Sequence, residues 1–339
     1  MSQGKNSINE KKELLERFYS ITSDLGYISK TLSEKGIKEI KNIKIQPTRP
    51  IRVMTAQRYH DPKNILEKMD GKVAAEWKLD GERFQIHKLN DTIEIFSRRL
   101  ENITFMYPDI VDLIKKNIKT KKVIVEGEAV AVDPITNELQ NFQFLMKRKR
   151  KHNIDKIITE VPVSLYLFDC LYEGDKDLTQ KPYTERRKIL EKIIHQNHRI
   201  KLVPQKYIHD PNELNLFFNQ AIENGCEGLM LKSVSTNSIY RSGARSWLWI
   251  KWKRSYETKL VDSLDLVIVG AFMGRGKRTG KYGTLLVATC NKNGQYETLC
   301  KVGSGFTDND LDNFPKILDK HKIKNKDINV FSIVKADIW

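Results

Sequence analysis

The sequence predicts an α+β protein, in which a mainly antiparallel domain is followed by a small, incomplete β-barrel. Three observations support this fold class. Between residues 72 and 256, short strand patterns follow one another through brief turns, which is typical of antiparallel sheets and not of repeated βαβ units. After residue 260, short strand patterns alternate with glycine-rich turns. A helical pattern precedes both regions.

The composition fits two or three domains and an anionic partner. The chain has 339 residues, more than one domain usually needs, and 40% of them are hydrophobic, which is enough for real cores. It contains neither an apolar run of about 18 residues nor an apolar leader, so a soluble, non-secreted protein is predicted. The net charge of +16 favours nucleic acid as a partner over solubility alone.

The four cysteines are widely spaced and never fall as CxxC. They are Cys170, Cys226, Cys290 and Cys300. This spacing favours reduced thiols over a disulfide framework or a zinc site.

The first predicted element is a helical seam in residues 10–33, interrupted by Gly26. Its apolar residues lie four and three positions apart, on one helix face: Leu14, Phe18, Ile21, Leu25, Ile28 and Leu32. Such a seam needs a partner. Either it folds back on the residues C-terminal to it, or it ends a helical domain that lies outside this chain. The prolines of 45–52 then predict an extended linker.

The central domain is predicted from alternation and from helix caps. Strands are expected at 73–78, 83–88, 92–97, 123–132, 163–169 and 228–233, and helices at 108–117, 184–196 and 212–224. In the barrel, strands are expected at 265–272, 284–290 and 296–303, with a helix near 308–320 and a new strand in VKADIW at 334–339.

Lys78 stands in an apolar strand between Glu76 and Asp80, a place that lysine usually avoids. Alternation along the strand puts these three side chains on one face. A reactive lysine must lose its proton, and nearby carboxylates oppose this loss unless a metal neutralises them. Taken alone, KLDG at 78–81 therefore favours a structural charge cluster over a nucleophile.

Three other acidic or aromatic positions allow chemistry. Glu126 and Glu128 share a strand face that suits a divalent cation or a ribose hydroxyl, or that is simply the polar face of a half-exposed strand. Phe168 suits stacking on a base, although a core position is favoured by its own stretch. Glu227 precedes a strand that carries Lys232 near its end, and a surface acid is its default interpretation.

The stretch YRSGARSWLWIKWKR at 240–254 is the most informative. Alternation places Trp247, Trp249, Lys251 and Lys253 on one strand face. Two neighbouring lysines repel each other unless an anion lies between them. Because tryptophans surround these lysines, a bound phosphate is favoured over solvated edge-strand lysines.

Taken in order, six stretches resemble the collinear motifs I, Ia, III, IIIa, IV and V of covalent nucleotidyltransferases. They are KLDG (78–81), FSRRLEN (96–102), VEGEAVAVD (125–133), LYLFD (165–169), EGLMLKS (227–233) and WLWIKWKR (247–254). The sequences between them look like ATP-dependent DNA ligases, archaeal type most closely. The resemblance runs from about residue 10 to the last residue.

The resemblance implies three regions. Residues 1–45 would be a helical remnant of an N-terminal DNA-binding domain with a linker, residues 46–258 an adenylation (nucleotidyltransferase) domain, and residues 259–339 a partial OB-fold domain. Most of the DNA-binding domain, and the basic motif VI that orients pyrophosphate during self-adenylation in this family, would lie outside this chain. Self-adenylation and nick sealing are expected to be weak without them.

The implied activity is the sealing of nicks in duplex DNA for replication, repair and recombination, with ATP and Mg²⁺ as cofactors. Lys78 would carry AMP before the AMP moves to the 5′-phosphate at the nick. Nucleotide contacts are expected from Glu76, Arg83, Arg98, Glu128, Phe168, Lys251 and Lys253. Among these, Phe168 would stack on adenine, Glu128 would hold the ribose, and Lys251 and Lys253 would hold the α-phosphate.

Glu227, with Glu128, would bind Mg²⁺ by resemblance, whereas Asp80 and Glu126 are weaker candidates for a site role. DNA contacts are expected from two basic stretches, KRKRKH at 147–152 and GRGKRTGKYG at 274–283. The residues are Lys147, Arg148, Arg150, Arg275, Lys277 and Arg278. For each stretch, a merely solvated charged loop is the alternative.

A monomer in the cytoplasm, at the nucleoid, is expected. A sliding-clamp contact would use parts outside this chain. The alternatives are an RNA ligase, a capping-type nucleotidyltransferase that uses GTP, and a non-catalytic nucleic-acid-binding fragment. NAD-dependent DNA ligases are disfavoured, because nothing here resembles their nicotinamide-binding segment.

Overall fold

The computed structural model of the chain describes residues 2–148, 154–257, 264–274 and 276–339. The chain divides into two compact units, Met1–Lys259 and Leu260–Trp339. Within the described ranges, no helix combines the length and the apolar character needed to cross a membrane. The predicted boundaries at 45/46 and 258/259 stay predictions.

The first unit begins with three helices, α1 (Ser2–Thr22), α2 (Leu25–Lys35) and α3 (Ile37–Ile40). The seam is therefore interrupted before Gly26, because the Asp24 side chain caps α2 by accepting a hydrogen bond from the N–H of Tyr27.

The seam folds back on the residues C-terminal to it. Phe18 and Ile28 pack with Ile40 and Ile43 in a small core, and Ile21 contacts a larger one. Of the two alternatives left open by the sequence, the structure supports the first for the described residues.

Most of the first unit is built on two sheets. The strands are β1 (Thr55–Arg58), β2 (Val73–Lys78), β3 (Glu82–Leu89), β4 (Thr92–Phe96), β5 (Lys122–Ala131), β6 (Val163–Glu173), β7 (Lys176–Asp177), β8 (Ile200–Leu202), β9 (Gln205–Ile208), β10 (Gly228–Ser233) and β11 (Arg245–Lys253). The helices after α3 are α4 (Pro62–Lys68), α5 (Pro108–Asn117), α6 (Phe142–Leu145), α7 (Ile154–Glu160), α8 (Tyr183–Ile193), α9 (Pro211–Glu223) and α10 (Arg254–Glu257).

The five-stranded sheet has the order β1-β11-β10-β2-β9, and the second has the order β4-β3-β5-β6-β7 with β8 beside β6. Most pairs are antiparallel, and the parallel ones are β1 with β11 and β6 with β8. Apolar residues of α4 and α9 cover one face of the five-stranded sheet, and those of α5 pack on the second sheet. Both sheets contribute to a third core, which brings their other faces together.

Strand β6 carries two bulges. Phe168 and Leu171 have no partner on β5, so the ladder skips one residue at each place. Before the bulges, Leu165 and Leu167 enter the core of the second sheet, while Leu171 and Tyr172 enter the core shared by both sheets. Simple alternation along 163–169 therefore fails after Leu167.

The residues at 45–52 are not a free linker. Ile45 and Ile51 are buried in the core shared by both sheets. The backbone of this segment is also hydrogen-bonded to side chains of β3. The extended linker predicted from its prolines is therefore an integral part of the first unit.

The second unit contains β12 (Val267–Met273), β13 (Tyr282–Cys290), β14 (Tyr296–Val302), α11 (Asp308–Leu318) and β15 (Val330–Phe331), with the four strands in that order in one sheet. Thr307 and Asp310 form a capping box at the start of α11. The strand expected at 334–339 is reduced to a single bridge between Ile338 and Ala271. The predicted α+β class is confirmed.

Candidate functional site

A cavity of about 650 Å³ lies in the first unit and is lined by residues of both sheets. It brings together Lys78 and every residue predicted from the sequence to contact a nucleotide or a metal. They are Glu76, Lys78, Arg83, Arg98, Glu128, Phe168, Glu227, Lys251 and Lys253. Asp80 also lines the cavity, whereas Glu126 does not line it.

The KLDG stretch forms the turn that places Lys78 at the cavity. Strand β2 ends at Lys78, and Asp80 accepts a hydrogen bond of 3.1 Å from the N–H of Phe142. A Cβ atom at Gly81 would lie 2.3 Å from the carbonyl oxygen of Ala129, so only glycine fits where the chain passes β5. The turn therefore holds Lys78 close to Glu128.

Glu227 is fixed between two strands. Its N–H donates to the carbonyl of Lys78 at 2.8 Å, and its own carbonyl accepts from Arg254 at 3.1 Å. Gly228, the next residue, has φ of 146°, and a Cβ there would lie 2.1 Å from the carbonyl oxygen of Trp252. This close approach of β10 and β11 sets the position of the Glu227 carboxylate.

The ammonium groups of Lys78 and Lys253 share one oxygen of Glu227. Each Nζ atom lies 2.7 Å from Glu227 Oε2. Burial alone would raise the pKa of Glu227, but these two cations hold it below its ordinary value. The carboxylate is therefore the anion between two lysines that would otherwise repel each other.

Lys251 stands in a cluster of cations. Burial lowers the pKa of Lys251, and the nearby charges of Arg58, Lys253, Lys78 and Arg98 lower it further. Such a group of positive charges is stabilised by a polyanion, because each cation then gains a partner. This end of the cavity suits phosphate groups.

Glu128 lies beside Lys78 and has the chemistry of a metal ligand. Burial raises the pKa of Glu128 to about 7, although Lys78 and Arg83 oppose this, and Glu227 adds to it. Within the described ranges, no group of three His, Cys, Asp or Glu side chains is arranged to hold a metal ion by itself. Two carboxylates completed by phosphate oxygens are the usual set for Mg²⁺, so Glu128 and Glu227 fit that ion.

The bulge in β6 exposes Phe168 to the cavity. Its ring centroid lies 6.3 Å from that of Trp249 and 5.4 Å from the guanidinium carbon of Arg83. A planar apolar surface at this position suits a flat aromatic ligand.

At the deep end of the cavity, Glu76 is held by its side chain in a buried network. Lys232 Nζ lies 2.7 Å from Glu76 Oε2, and Arg187, Gln205 and the hydroxyl of Tyr183 bind Oε1. The sequence places Lys232 near a strand end, but it predicts no site role for this residue. The available signal is its position in GLMLKS, where it shares a face with Met230 of a buried strand.

Alternation misplaces Trp247. Its side chain is 46% exposed and contacts Tyr59, whereas Trp249 is buried in the core shared by both sheets. The register between β1 and β11 shifts after Ser246, and the two tryptophans therefore do not share a face as predicted.

The predicted DNA contact at Arg148 requires correction. Its guanidinium is fully buried and makes a bidentate pair with Asp109, at 2.7 and 2.8 Å, which leaves no surface for a phosphate. Lys147 is exposed and stays a candidate. Arg150 lies outside the described residues.

The second basic stretch is only partly described. Arg275 lies outside the described residues. Lys277 belongs to a short 3₁₀ turn, and its side chain is not described. Arg278 donates hydrogen bonds to the carbonyls of Gly283 and Gly303 at 3.3 and 2.8 Å, so its side chain stabilises the second unit.

The chain matches known families in both units. Residues 53–253 match the family described as ATP dependent DNA ligase domain, and residues 278–337 match ATP dependent DNA ligase C terminal region. A structure named Pmar-Lig_PreS3 has a TM-score of 0.57 and 23% identity, covering 86% of this chain and 67% of that chain. At that identity, the likeness concerns the fold.

Curated relatives match nearly all of the chain. The DNA ligase of Staphylothermus marinus is 50% identical over 329 residues, which cover 97% of this chain and 55% of that protein. The figures are the same for the DNA ligase of Sulfolobus acidocaldarius. The probable DNA ligase of Aquifex aeolicus is 48% identical over 335 residues, or 98% of this chain and 57% of that protein. The chain thus spans little more than half the length of these relatives.

Proposed function

The chain belongs to the ATP-dependent DNA ligase family, and on that premise we propose that it carries the nucleotidyl-transfer chemistry of a DNA ligase. The amine of Lys78 attacks the α-phosphorus of ATP, and an N–P bond forms as the bond to pyrophosphate breaks. The AMP then passes to the 5′-phosphate at a nick. The 3′-hydroxyl displaces AMP and closes the phosphodiester bond.

One observation carries this proposal. Lys78 and Lys253 meet on a single oxygen of Glu227, at the edge of a cavity large enough for a nucleotide. The carboxylate of Glu227 favours the charged form of Lys78, so Lys78 becomes a nucleophile once another cation takes its place on Glu227. A second lysine at the same carboxylate can turn to the phosphate during the reaction, because phosphoryl-type transfer gains most from positioning and charge neutralisation.

The other cavity residues receive roles that suit their chemistry. Phe168 stacks on the adenine, and the backbone near Glu76 borders the base. Arg83 and Glu128 hold the ribose side of the nucleotide. Lys251 and Arg98 neutralise phosphate oxygens or the DNA end, which agrees with the cation cluster around Lys251.

Mg²⁺ fits the pair of Glu128 and Glu227. An ion held there would supply positive charge that offsets the α-phosphate and weakens the attraction between Glu227 and Lys78. Glu128 and Glu227 would hold the ion, and the other residues that line the cavity would hold the nucleotide beside Lys78.

Nicked duplex DNA is the proposed second substrate. The net charge of +16 supports binding to DNA phosphates, and exposed Lys147 is a described candidate for such a contact. Action on chromosomal DNA within the cell follows from this substrate.

The test is covalent labelling. The chain is incubated with α-labelled ATP and Mg²⁺, beside Lys78→Ala and beside Lys72→Ala, a matched control at an exposed lysine six positions earlier. Label on the parent and on Lys72→Ala, but not on Lys78→Ala, is expected. Labelling of Lys78→Ala to the level of the parent would contradict the assignment of the nucleophile.

The same assay tests two of the alternative functions, the capping-type enzyme and the binding module. Labelling by GTP and not by ATP would favour a capping-type enzyme. No label from either nucleotide, with motif VI supplied by a separate segment, would favour a binding module without chemistry.

A further inference from the structure

A strap of residues 46–54 joins the N-terminal helices to β1 and lies along the polar face of β3. Its backbone is bound at three positions that are three residues apart. The strap positions Thr48, Ile51 and Met54 are bound by the β3 side chains of His87, Gln85 and Arg83, respectively. Because β3 side chains two residues apart share a face, the strap and β3 run side by side.

The contacts at Thr48 and Ile51 are made by neutral groups. His87 Nδ1 accepts a hydrogen bond of 3.0 Å from the N–H of Thr48. Gln85 Oε1 accepts from the N–H of Ile51 at 2.7 Å, while its Nε2 donates to the carbonyl of Ile51 at 3.0 Å. Gln85 thus binds both backbone groups of one residue, and its side chain is fully buried.

The third contact reaches the cavity. Arg83 Nη1 donates to the carbonyl of Met54 at 2.9 Å, and Nη2 donates to Glu126 Oε2 at 2.8 Å. The other oxygen of Glu126 accepts from Gln85 Nε2 at 3.4 Å. Tyr240 completes the set, because its hydroxyl accepts from Arg83 at 3.3 Å and from the N–H of Met54 at 3.0 Å.

These contacts hold both Nη atoms of the Arg83 guanidinium, and Arg83 also lines the cavity. Its carbon lies 5.4 Å from the ring centroids of both Phe168 and Trp249, so the group is also confined by aromatic side chains. Its buried Nε has no hydrogen-bond partner among the described residues. A buried, unpaired N–H is costly, so the contacts among the described residues do not satisfy Arg83 completely.

We propose that Glu126 and Gln85 are positioning residues for Arg83, and that the strap is therefore part of the nucleotide site. Glu126 fixes the guanidinium, and Gln85 connects Glu126 to the backbone of the strap. The inference rests on the proposed function, since it assumes that Arg83 binds the nucleotide. Docking of the strap and binding of ATP are then linked through one side chain.

The test is a pair of double-mutant cycles on self-adenylation. Initial labelling rates are measured over a range of ATP concentrations for Glu126→Gln, Gln85→Met and Arg83→Gln, and for each of the first two combined with Arg83→Gln. Each positioning variant should raise the half-saturating ATP concentration about tenfold, as expected for a displaced charge-assisted hydrogen bond. The rate at saturation should change much less, because Arg83 binds the nucleotide similarly before and during the reaction.

Non-additivity is the decisive readout. In the Arg83→Gln background, Glu126→Gln and Gln85→Met should cause no further rise, because each acts only through Arg83. Asp109→Asn is the matched control. It removes the charge of a buried carboxylate paired with Arg148 away from the cavity, and should lower stability without changing the half-saturating ATP concentration.

Two results would overturn the inference. Full additivity with Arg83→Gln would show that the network only stabilises the fold, and would leave the proposed function standing. A parent chain that neither binds ATP nor gains label would contradict the proposed function and this inference together.

Discussion

Lys232 Nζ lies 2.7 Å from Glu76 Oε2, and the two side chains are only 1% and 2% exposed. Removing one partner of such a buried pair leaves the other charge without its nearest counter-charge. We expect Lys232→Met to lower the free energy of unfolding by about 3 kcal/mol, measured by urea denaturation.

The control for this prediction is a surface pair. Lys30→Met removes a partner of Glu34 at 3.9 Å, where both side chains are mostly exposed, and should change stability by less than about 0.5 kcal/mol. Equal losses in Lys232→Met and Lys30→Met would contradict the interpretation. The double variant Lys232→Met with Glu76→Gln should recover part of the loss, since the unpaired charge is removed.

His87 makes stability depend on pH. Burial lowers the pKa of His87 from 6.5 to about 3, and its Nδ1 can accept from Thr48 only when the ring is neutral. Between these two values the unfolded chain binds a proton that the folded chain does not. The contribution is therefore complete above about pH 6.5 and is lost as the pH falls.

The expected loss between pH 7.5 and pH 5.5 is about 1.4 kcal/mol, because one pKa unit corresponds to that free energy. Urea unfolding at the two pH values measures it. His87→Gln should be less stable than the parent at pH 7.5 but should lose less on acidification. His198→Gln, a variant at an exposed histidine, keeps His87 and should lose as much stability as the parent. A smaller loss in His198→Gln than in the parent would assign the effect to His198 instead.

Arg148 and Lys147 are neighbours with opposite expected roles. Arg148→Met should cost about 3 kcal/mol of stability, because Asp109 then keeps only Arg199. Lys147→Met should leave stability unchanged and should reduce the salt dependence of binding to nicked duplex DNA by about one phosphate contact. Fluorescence anisotropy at several salt concentrations measures the second effect. A reduced salt dependence in Arg148→Met, with stability intact, would restore the DNA contact that the sequence predicts for it.

Position 81 has room for glycine but not for a larger residue. In Gly81→Ala the new methyl would lie 2.3 Å from the carbonyl oxygen of Ala129, so the turn that leads into β3 must move away from β5. We expect a loss of about 3 kcal/mol and a slower labelling of Lys78. In Gly26→Ala the nearest atom is the side-chain oxygen Oδ1 of Asp24 at 3.3 Å, which has to move by only a few tenths of an ångström, and thermal unfolding should change little. Similar melting temperatures for the two variants would contradict this argument.

Much of the fold could be predicted from local pattern. The strands at 73–78 and 228–233 and the helix at 108–117 lie where alternation and caps predict them. Lys78 and the predicted nucleotide-binding residues also line one cavity, as the resemblance implies, because each motif lies on or next to a strand that borders this cavity.

The remainder depends on contacts between distant segments. Nothing in KRKRKH distinguishes Arg148 from its neighbours, since its burial depends on Asp109 and the carbonyl of Val161, which lie outside this stretch. The prolines of 45–52 correctly predict the absence of regular structure, but they carry no information about Gln85, which binds Ile51 from 34 positions further along the chain. Register shifts such as that near Trp247 also arise from the partner strand and not from the strand itself.

The two bulges in β6 make the number of residues in this strand important. Cys170 faces the core of the second sheet, and Leu171 and Tyr172 face the core shared by both sheets, only because one position is skipped at Phe168 and another at Leu171. Substitutions in this stretch alter a single side chain. A deletion or insertion of one residue would shift every later position by one, so that side chains now in one core would face the opposite side of the sheet. Length, more than residue type, is therefore the property of β6 that variation has to preserve.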